Sequence, residues 1–143
     1  MAGIYIHIPF CKQSCYYCDF HFSTNQSLKA DIIHAIALEL EMQVNYLQGE
    51  EIETIYFGGG TPSLLTKEEL EVIFNSIYKH YSIGALPEIT LEANPDDLTK
   101  EKIQILKEVG INRVSLGIQS FDDTILKYLN RAHTSKDALQ CAL

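Results

Sequence analysis

Ile4-Tyr5-Ile6-His7-Ile8-Pro9-Phe10-Cys11-Lys12-Gln13-Ser14-Cys15-Tyr16-Tyr17-Cys18 joins an alternating run to three cysteines packed within eight residues. Isoleucines 4, 6 and 8 alternate with Tyr5 and His7, the period of a β-strand with one apolar face. Pro9 ends that strand, so the cysteines fall on the loop just beyond it. A disulfide framework spreads an even set of cysteines along a chain, whereas clustered thiols point to a metal. The fourth cysteine, Cys141, stands alone and reads as a small buried apolar residue.

Outward from this loop the pattern repeats as strand and helix. A helix is expected over residues 26–47, with Leu28, Ile32, Ile33, Ile36 and Leu40 at helical spacing and Gly49 at its end. A second strand, 53–57, runs into Gly58-Gly59-Gly60-Thr61-Pro62. Thr66-x-x-Glu69 is a capping box for a helix carrying Leu70, Ile73, Phe74 and Ile77. A third strand, 88–93, stops at Asn94-Pro95. A third helix, 99–109, is closed by Gly110. A fourth strand covers 113–118, and Ser120 with Asp123 caps a short fourth helix. Thr134-x-x-Asp137 opens a further apolar helical face through Ala138, Leu139, Ala142 and Leu143.

Strands alternating with helices imply a parallel α/β sheet. Such strands are usually apolar on both faces, but these are not. Tyr5 and His7, then Thr90, Glu92 and Asn94, then Ser115, Gly117 and Gln119 form polar rows opposite the apolar ones. The apolar rows face the helices, so the polar rows face a shared interior. Burying Glu92 and Gln119 there without partners would cost a few kcal/mol each, which predicts a polar ligand or water inside. An antiparallel sheet with one solvated face is the competing reading. Sites in parallel α/β folds lie at the C-terminal strand ends, where Cys11, the triglycine, Asn94 and Gln119 fall. Four βα units do not close a barrel, and the last helical pattern lacks a C-cap. We therefore expect residues 1–143 to be the N-terminal part of a larger core domain, the alternative being a natural end on an open sheet.

The chain of 143 residues is 46% hydrophobic and carries 19 acidic against 11 basic side chains, a net charge of −8. That balance disfavours nucleic-acid binding, which needs clustered cations. No apolar run reaches the roughly 18–20 residues that span a membrane. No charged n-region precedes the first strand, and a cytoplasmic location is expected.

Three thiolates at x3 and x2 spacing can hold three irons of a [4Fe–4S] cube and leave the fourth open to an exogenous ligand. A zinc site is the alternative, because Cys18-x-x-His21 offers a fourth ligand for a structural Cys3His module. Cys11-x-x-x-Cys15-x-x-Cys18 after a first strand resembles the signature of the radical S-adenosylmethionine (SAM) superfamily. Tyr5-Ile6-His7-Ile8-Pro9-Phe10-Cys11 and Cys15-Tyr16-Tyr17-Cys18-Asp19-Phe20 resemble the oxygen-independent coproporphyrinogen III oxidase family, including its heme-chaperone branch, HemW. Gly58-Gly59-Gly60-Thr61-Pro62, Leu91-Glu92-Ala93-Asn94-Pro95 and Ser115-Leu116-Gly117-Ile118-Gln119-Ser120-Phe121 resemble the same family, in its order.

This resemblance implies a partial (β/α) barrel of the radical SAM type. It implies a [4Fe–4S] cluster on Cys11, Cys15 and Cys18, with SAM chelating the open iron. Gly58, Gly59 and Gly60, with adjoining Thr61, resemble the segment meeting the SAM amino group, where absent Cβ atoms would permit close approach. Glu92 resembles a ribose contact, Gln119 and Arg131 further SAM contacts, and Arg131 in particular a cation for the SAM carboxylate. Tyr17 resembles an aromatic near the adenine, and Tyr5 one beside the cluster; both also read as packing aromatics. The implied chemistry is reductive cleavage of SAM to methionine and a 5′-deoxyadenosyl radical that abstracts hydrogen. The oxidase branch carries a Cys-x-Cys pair, but here Cys18 is followed by Asp19 and Phe20, as in the heme-chaperone branch. A heme chaperone is thus the leading expectation, ahead of oxidative decarboxylation of a porphyrinogen. The implied partners are SAM, heme or a porphyrinogen, an electron donor and a recipient hemoprotein.

Overall fold

The computed structural model describes residues 2–142. Four strands, β1 (Ala2–Ile8), β2 (Ile52–Gly59), β3 (Ile83–Ala93) and β4 (Arg113–Leu116), form one sheet in the order 1-2-3-4. All three pairings are parallel, so the antiparallel reading is excluded. The crossovers carry α1 (Lys29–Met42), α2 (Lys67–His80) and α3 (Lys100–Glu108). Two short helices, α4 (Asp123–Tyr128) and α5 (Ser135–Ala142), follow β4. This is the α/β architecture expected, with a four-stranded parallel sheet.

The core lies between the sheet and the helices. Ile6, Ile8, Ile55, Phe57, Ile89 and Leu91 meet Ile33, Leu40, Leu70, Ile73, Phe74, Ile77 and Leu106, all buried. Each such side chain contributes about 1.5–3 kcal/mol by leaving water. Phe57 and Phe74 pack with ring centroids 5.3 Å apart. The capping box of α2 is complete: Thr66 accepts from the Glu69 amide, and Glu69 accepts from the Thr66 amide. Thr99 caps α3 through the Lys102 amide. Thr134 and Asp137 reciprocate across the first turn of α5.

Several boundaries differ from the sequence reading. α1 ends at Met42, because the apolar stripe stops at Leu40 and residues 43–50 close successive tight turns instead. Gln48 and Gly49 there adopt left-handed backbone. β3 begins five residues earlier than expected, at Ile83, which pairs with Ile52 beyond a register irregularity. β4 ends at Leu116 rather than Ile118. The chain turns there through Ile118 N–H to Leu116 O and Ser120 N–H to Ile118 O, with Gln119 at φ 65°. The cap of α4 is Asp122, which accepts from the Thr124 and Ile125 amides, while Ser120 accepts from the Asp122 amide. Val114 was expected under a helix but is exposed, since α4 lies beyond the strand end, where its cap residue Leu129 meets the cysteine loop. Ala138 of the final apolar face is buried, and Leu143 lies outside the described residues.

Candidate cluster and SAM site

The C-terminal strand ends and the loops that leave them enclose a cavity of about 360 Å³. Cys11, Cys15 and Cys18 line it on one side. Gly59, Gly60 and Thr61 line it after β2, Glu92 and Asn94 at β3, Gln119 after β4, and Arg131 beyond α4. Tyr17 lines it from within the cysteine loop. Tyr5 and Gly58 do not line it. Tyr5 belongs to a separate groove along β1, where it stacks on Tyr56 at 6.0 Å and its hydroxyl lies 3.2 Å from His7 Nδ1.

The cysteine loop is held at both ends. Cys11 N–H donates to Ser23 O, and Tyr16 N–H donates to Leu129 O. Gln13 Nε2 donates to Asn130 O at 2.5 Å, and Asn130 Nδ2 returns to Ser14 O at 2.7 Å. Asn130 has φ 55°, a conformation Asn tolerates better than most residues. Lys12 makes ion pairs with Asp96, at 2.8 Å, and with Asp97. Burial opposes the Lys12 charge, yet the two carboxylates outweigh it and hold its pKa up. Asp97 is buried and also accepts from Ser63 Oγ at 2.7 Å. This clamp ties the cysteine loop to the turns after β2 and β3.

Glu92, expected to need a partner, has two within the chain. Oε1 accepts from the Tyr56 hydroxyl at 2.8 Å and Oε2 from the Gly59 amide at 3.2 Å. The glycines also answer to the protein itself. A Cβ on Gly60 would stand 2.8 Å from the Ile8 and Phe10 carbonyl oxygens. Gly59 has φ 105°, and its Cβ would strike the His7 ring at 2.5 Å. Their small size is therefore required by packing against the β1 end, which the sequence reading assigned to ligand approach alone.

Arg131 is the most connected side chain of the site. Nη2 donates to Asn94 Oδ1 at 2.5 Å and to Gly117 O at 2.7 Å. Nη1 donates to the Tyr17 hydroxyl at 3.2 Å and approaches Cys15 Sγ at 3.5 Å. His133, which is buried, stands next to it. Its Nε2 donates to Ile118 O at 2.9 Å, which leaves Nδ1 as an acceptor 3.5 Å from Arg131 Nη2. Burial pushes the His133 pKa down, and the neighbouring guanidinium adds to this. Burial likewise raises the Cys11 thiol, against a hydrogen bond from Thr61. It raises the Tyr17 phenol against Arg131.

The donor set fits an iron–sulfur group. Three thiols line one cavity, and His21, the fourth ligand of the zinc alternative, does not line it. Among the described residues no three His, Cys, Asp or Glu side chains converge closely enough for a single ion, a closeness that a cube spreading its thiolates over three irons does not demand. Arg131 Nε and Asp96 Oδ1 are buried without a hydrogen-bond partner, and both residues line the cavity. A polar ligand is the natural complement of such atoms. Sequence reasoning placed Asn94 at a strand end without giving it a role, and it missed Lys12, Asp97 and His133. Only the Pro-Asp-Asp turn after Asn94 hinted at the acidic end of the clamp.

The family profile of the Radical SAM superfamily matches residues 5–143. The chain is 41% identical over 139 residues to the heme chaperone HemW of Bacillus subtilis, covering 96% of this chain and 37% of that protein. It is 38% identical over 145 residues to the heme chaperone HemW of Escherichia coli, covering 98% and 38%. The chain thus spans just over a third of the length of these curated relatives. Among solved structures, the coproporphyrinogen III oxidase HemN of Escherichia coli superposes with a TM-score of 0.87 at 28% identity, covering 97% of this chain and 32% of the other. No helix among the described residues is long and apolar enough to cross a membrane. The chain belongs to the radical SAM superfamily, a family that implies a [4Fe–4S] cluster and SAM, and within it stands with the HemW-like and coproporphyrinogen oxidase-like proteins.

Proposed function

We propose that residues 1–143 supply the cluster-binding and SAM-binding part of a HemW-like heme chaperone. The observation that carries this reading is the cavity itself. Cys11, Cys15 and Cys18 line one space together with Glu92, Gln119 and Arg131 at the C-terminal strand ends. Three cysteines leave one iron of a cube free for the SAM amino and carboxylate groups. When bound, the cluster supplies the electron that cleaves the SAM sulfonium.

The chain's own residues bind and orient. Gly59 and Gly60 present backbone to the methionine end, and Thr61 adjoins them. Glu92, with Tyr56 and Gly59 fixing both oxygens, keeps lone pairs for ribose hydroxyls. Gln119 lies beside the Arg131 guanidinium, across Gly117. Tyr17 offers a face to the adenine. Arg131 supplies positive charge, already shared among Asn94, Gly117 and Tyr17. Tyr5 stacks on Tyr56 and contacts His7 rather than lining the cavity.

The heme-chaperone reading is supported by the named relatives and by Asp19 and Phe20 after Cys18, where an oxidase-like Cys-x-Cys would place a thiol. Heme, an electron donor and a recipient hemoprotein are then its cytoplasmic partners. The superposition on HemN is consistent with the oxidase reading. One experiment separates them: the complete gene product, reconstituted without oxygen, is titrated with heme and separately given coproporphyrinogen III, SAM and dithionite. Stoichiometric heme binding without decarboxylation supports the chaperone. Turnover of the porphyrinogen to its divinyl product would replace it with the oxidase.

A further inference from the structure

We propose that Arg131, Asn94 and Thr61 form a directional hydrogen-bond relay that ends on the Cys11 sulfur and raises the reduction potential of a cluster held there. The inference rests on the cluster reading above. Its geometry is a continuous chain: Arg131 Nη2 to Asn94 Oδ1 at 2.5 Å, Asn94 Nδ2 to Thr61 Oγ1 at 3.4 Å, and Thr61 Oγ1 to Cys11 Sγ at 3.4 Å. Thr61 is buried, so its hydroxyl has no bulk water to turn to.

The polarity of the chain follows from its first member. A guanidinium can only donate, so it takes the oxygen of Asn94. This settles the amide orientation independently of how the two ends of the side chain are assigned. The NH2 of Asn94 must then point to Thr61, whose oxygen accepts. The single hydroxyl proton of Thr61 is left for the sulfur. Each bond polarises the next. The same guanidinium also approaches Cys15 Sγ directly at 3.5 Å. One cation thus reaches two of the three thiolates, one through space and one through two side chains.

A donor on a ligand sulfur stabilises the added negative charge of the one-electron reduced cluster, and so raises its potential. Asn94 touches neither cluster nor SAM in this scheme and is a positioning residue. The test is a dithionite titration of the [4Fe–4S]2+/1+ couple, followed by electron paramagnetic resonance. It uses the complete gene product with iron content checked for each variant, and omits SAM so that contacts to it play no part. Thr61→Val removes the proton but keeps the shape. It should move the reduction equilibrium toward the oxidised cluster about tenfold, which is about 59 mV for one electron. Thr61→Ser should restore the parent value within about threefold. Asn94→Asp offers the Thr61 proton a carboxylate, and should shift the equilibrium in the same direction. Part of that effect is charge alone, so the decisive quantity is the coupling: N94D should shift the couple less in the T61V background than in the parent. An unchanged potential in T61V, no restoration by T61S, or strict additivity of the two changes overturns the relay while leaving the cluster in place. A parent protein that takes up zinc and no iron overturns the cluster reading, and the relay with it.

Discussion

The two rims of the sheet are built from the same four strands and differ in almost every other respect. At the N-terminal rim, Glu51, Glu53 and Glu88 surround an exposed Leu86, and Arg113 contacts Glu88 at 3.4 Å. At the C-terminal rim, residues more than eighty positions apart meet directly: Lys12 with Asp96, Gln13 with Asn130, and Cys15 with Arg131. Parallel strands deliver every crossover loop to one end, so that rim collects side chains from the whole chain. The other rim carries the return loops and holds the architecture only. The sheet's two faces repeat the contrast, with the helix side closed by apolar packing and the inner side held by polar pairs.

Substitutions can break this contrast at three depths. Phe57→Ala empties a fully buried site facing Phe74, and should cost about 3–5 kcal/mol in denaturant unfolding of the complete gene product. Asp97→Ala removes the buried end of the clamp, leaving Lys12 with Asp96 alone and Ser63 Oγ without its acceptor. It should cost about 1–3 kcal/mol and slow iron uptake, because the cysteine loop loses its tie to the strand ends. Glu53→Gln at the opposite rim should stay within about 0.5 kcal/mol and leave iron uptake untouched. If E53Q impaired iron loading as much as D97A, the division between the rims would fail.

Much of this was legible before the structure. The alternation around Ile6, the cysteine spacing, the triglycine and the Thr66–Glu69 box each act locally, so short stretches sufficed to place three strands, their helices and the cysteine loop. Reciprocal contacts between distant residues left no such trace. Arg131 and Asn94 are separated by 37 positions, and taken alone the arginine resembles any surface cation on a helix. Gly58 belongs to the glycine run by sequence, yet it packs against Tyr5 and Tyr56 and does not line the cavity. The end of β4 was misplaced because Ile118 continues the apolar alternation, while His133 fixes its carbonyl in a turn.

That histidine gives the subtlest effect. Burial lowers its pKa, so the folded protein favours the neutral ring, which donates to Ile118 and accepts near Arg131. The hydrogen bond to Ile118 O, then Asp96 and Asp137, favour the charged ring and only partly offset burial. The resulting stability is present above the unfolded histidine pKa of about 6.5 and is lost as pH falls through the lower folded value. Chemical unfolding followed between pH 7 and 5 should show that loss in the parent and less of it in His133→Gln. Equal slopes would remove His133 from the account.

The most direct test of the central claim is metal content. The complete gene product is purified without oxygen, reconstituted with iron and sulfide, and analysed for iron, sulfide and zinc before and after SAM is added. About four irons per chain, with a visible absorption band that SAM perturbs, is the predicted result for a cube with one open iron. One zinc per chain, no iron uptake and no response to SAM would contradict it and leave a structural metal module.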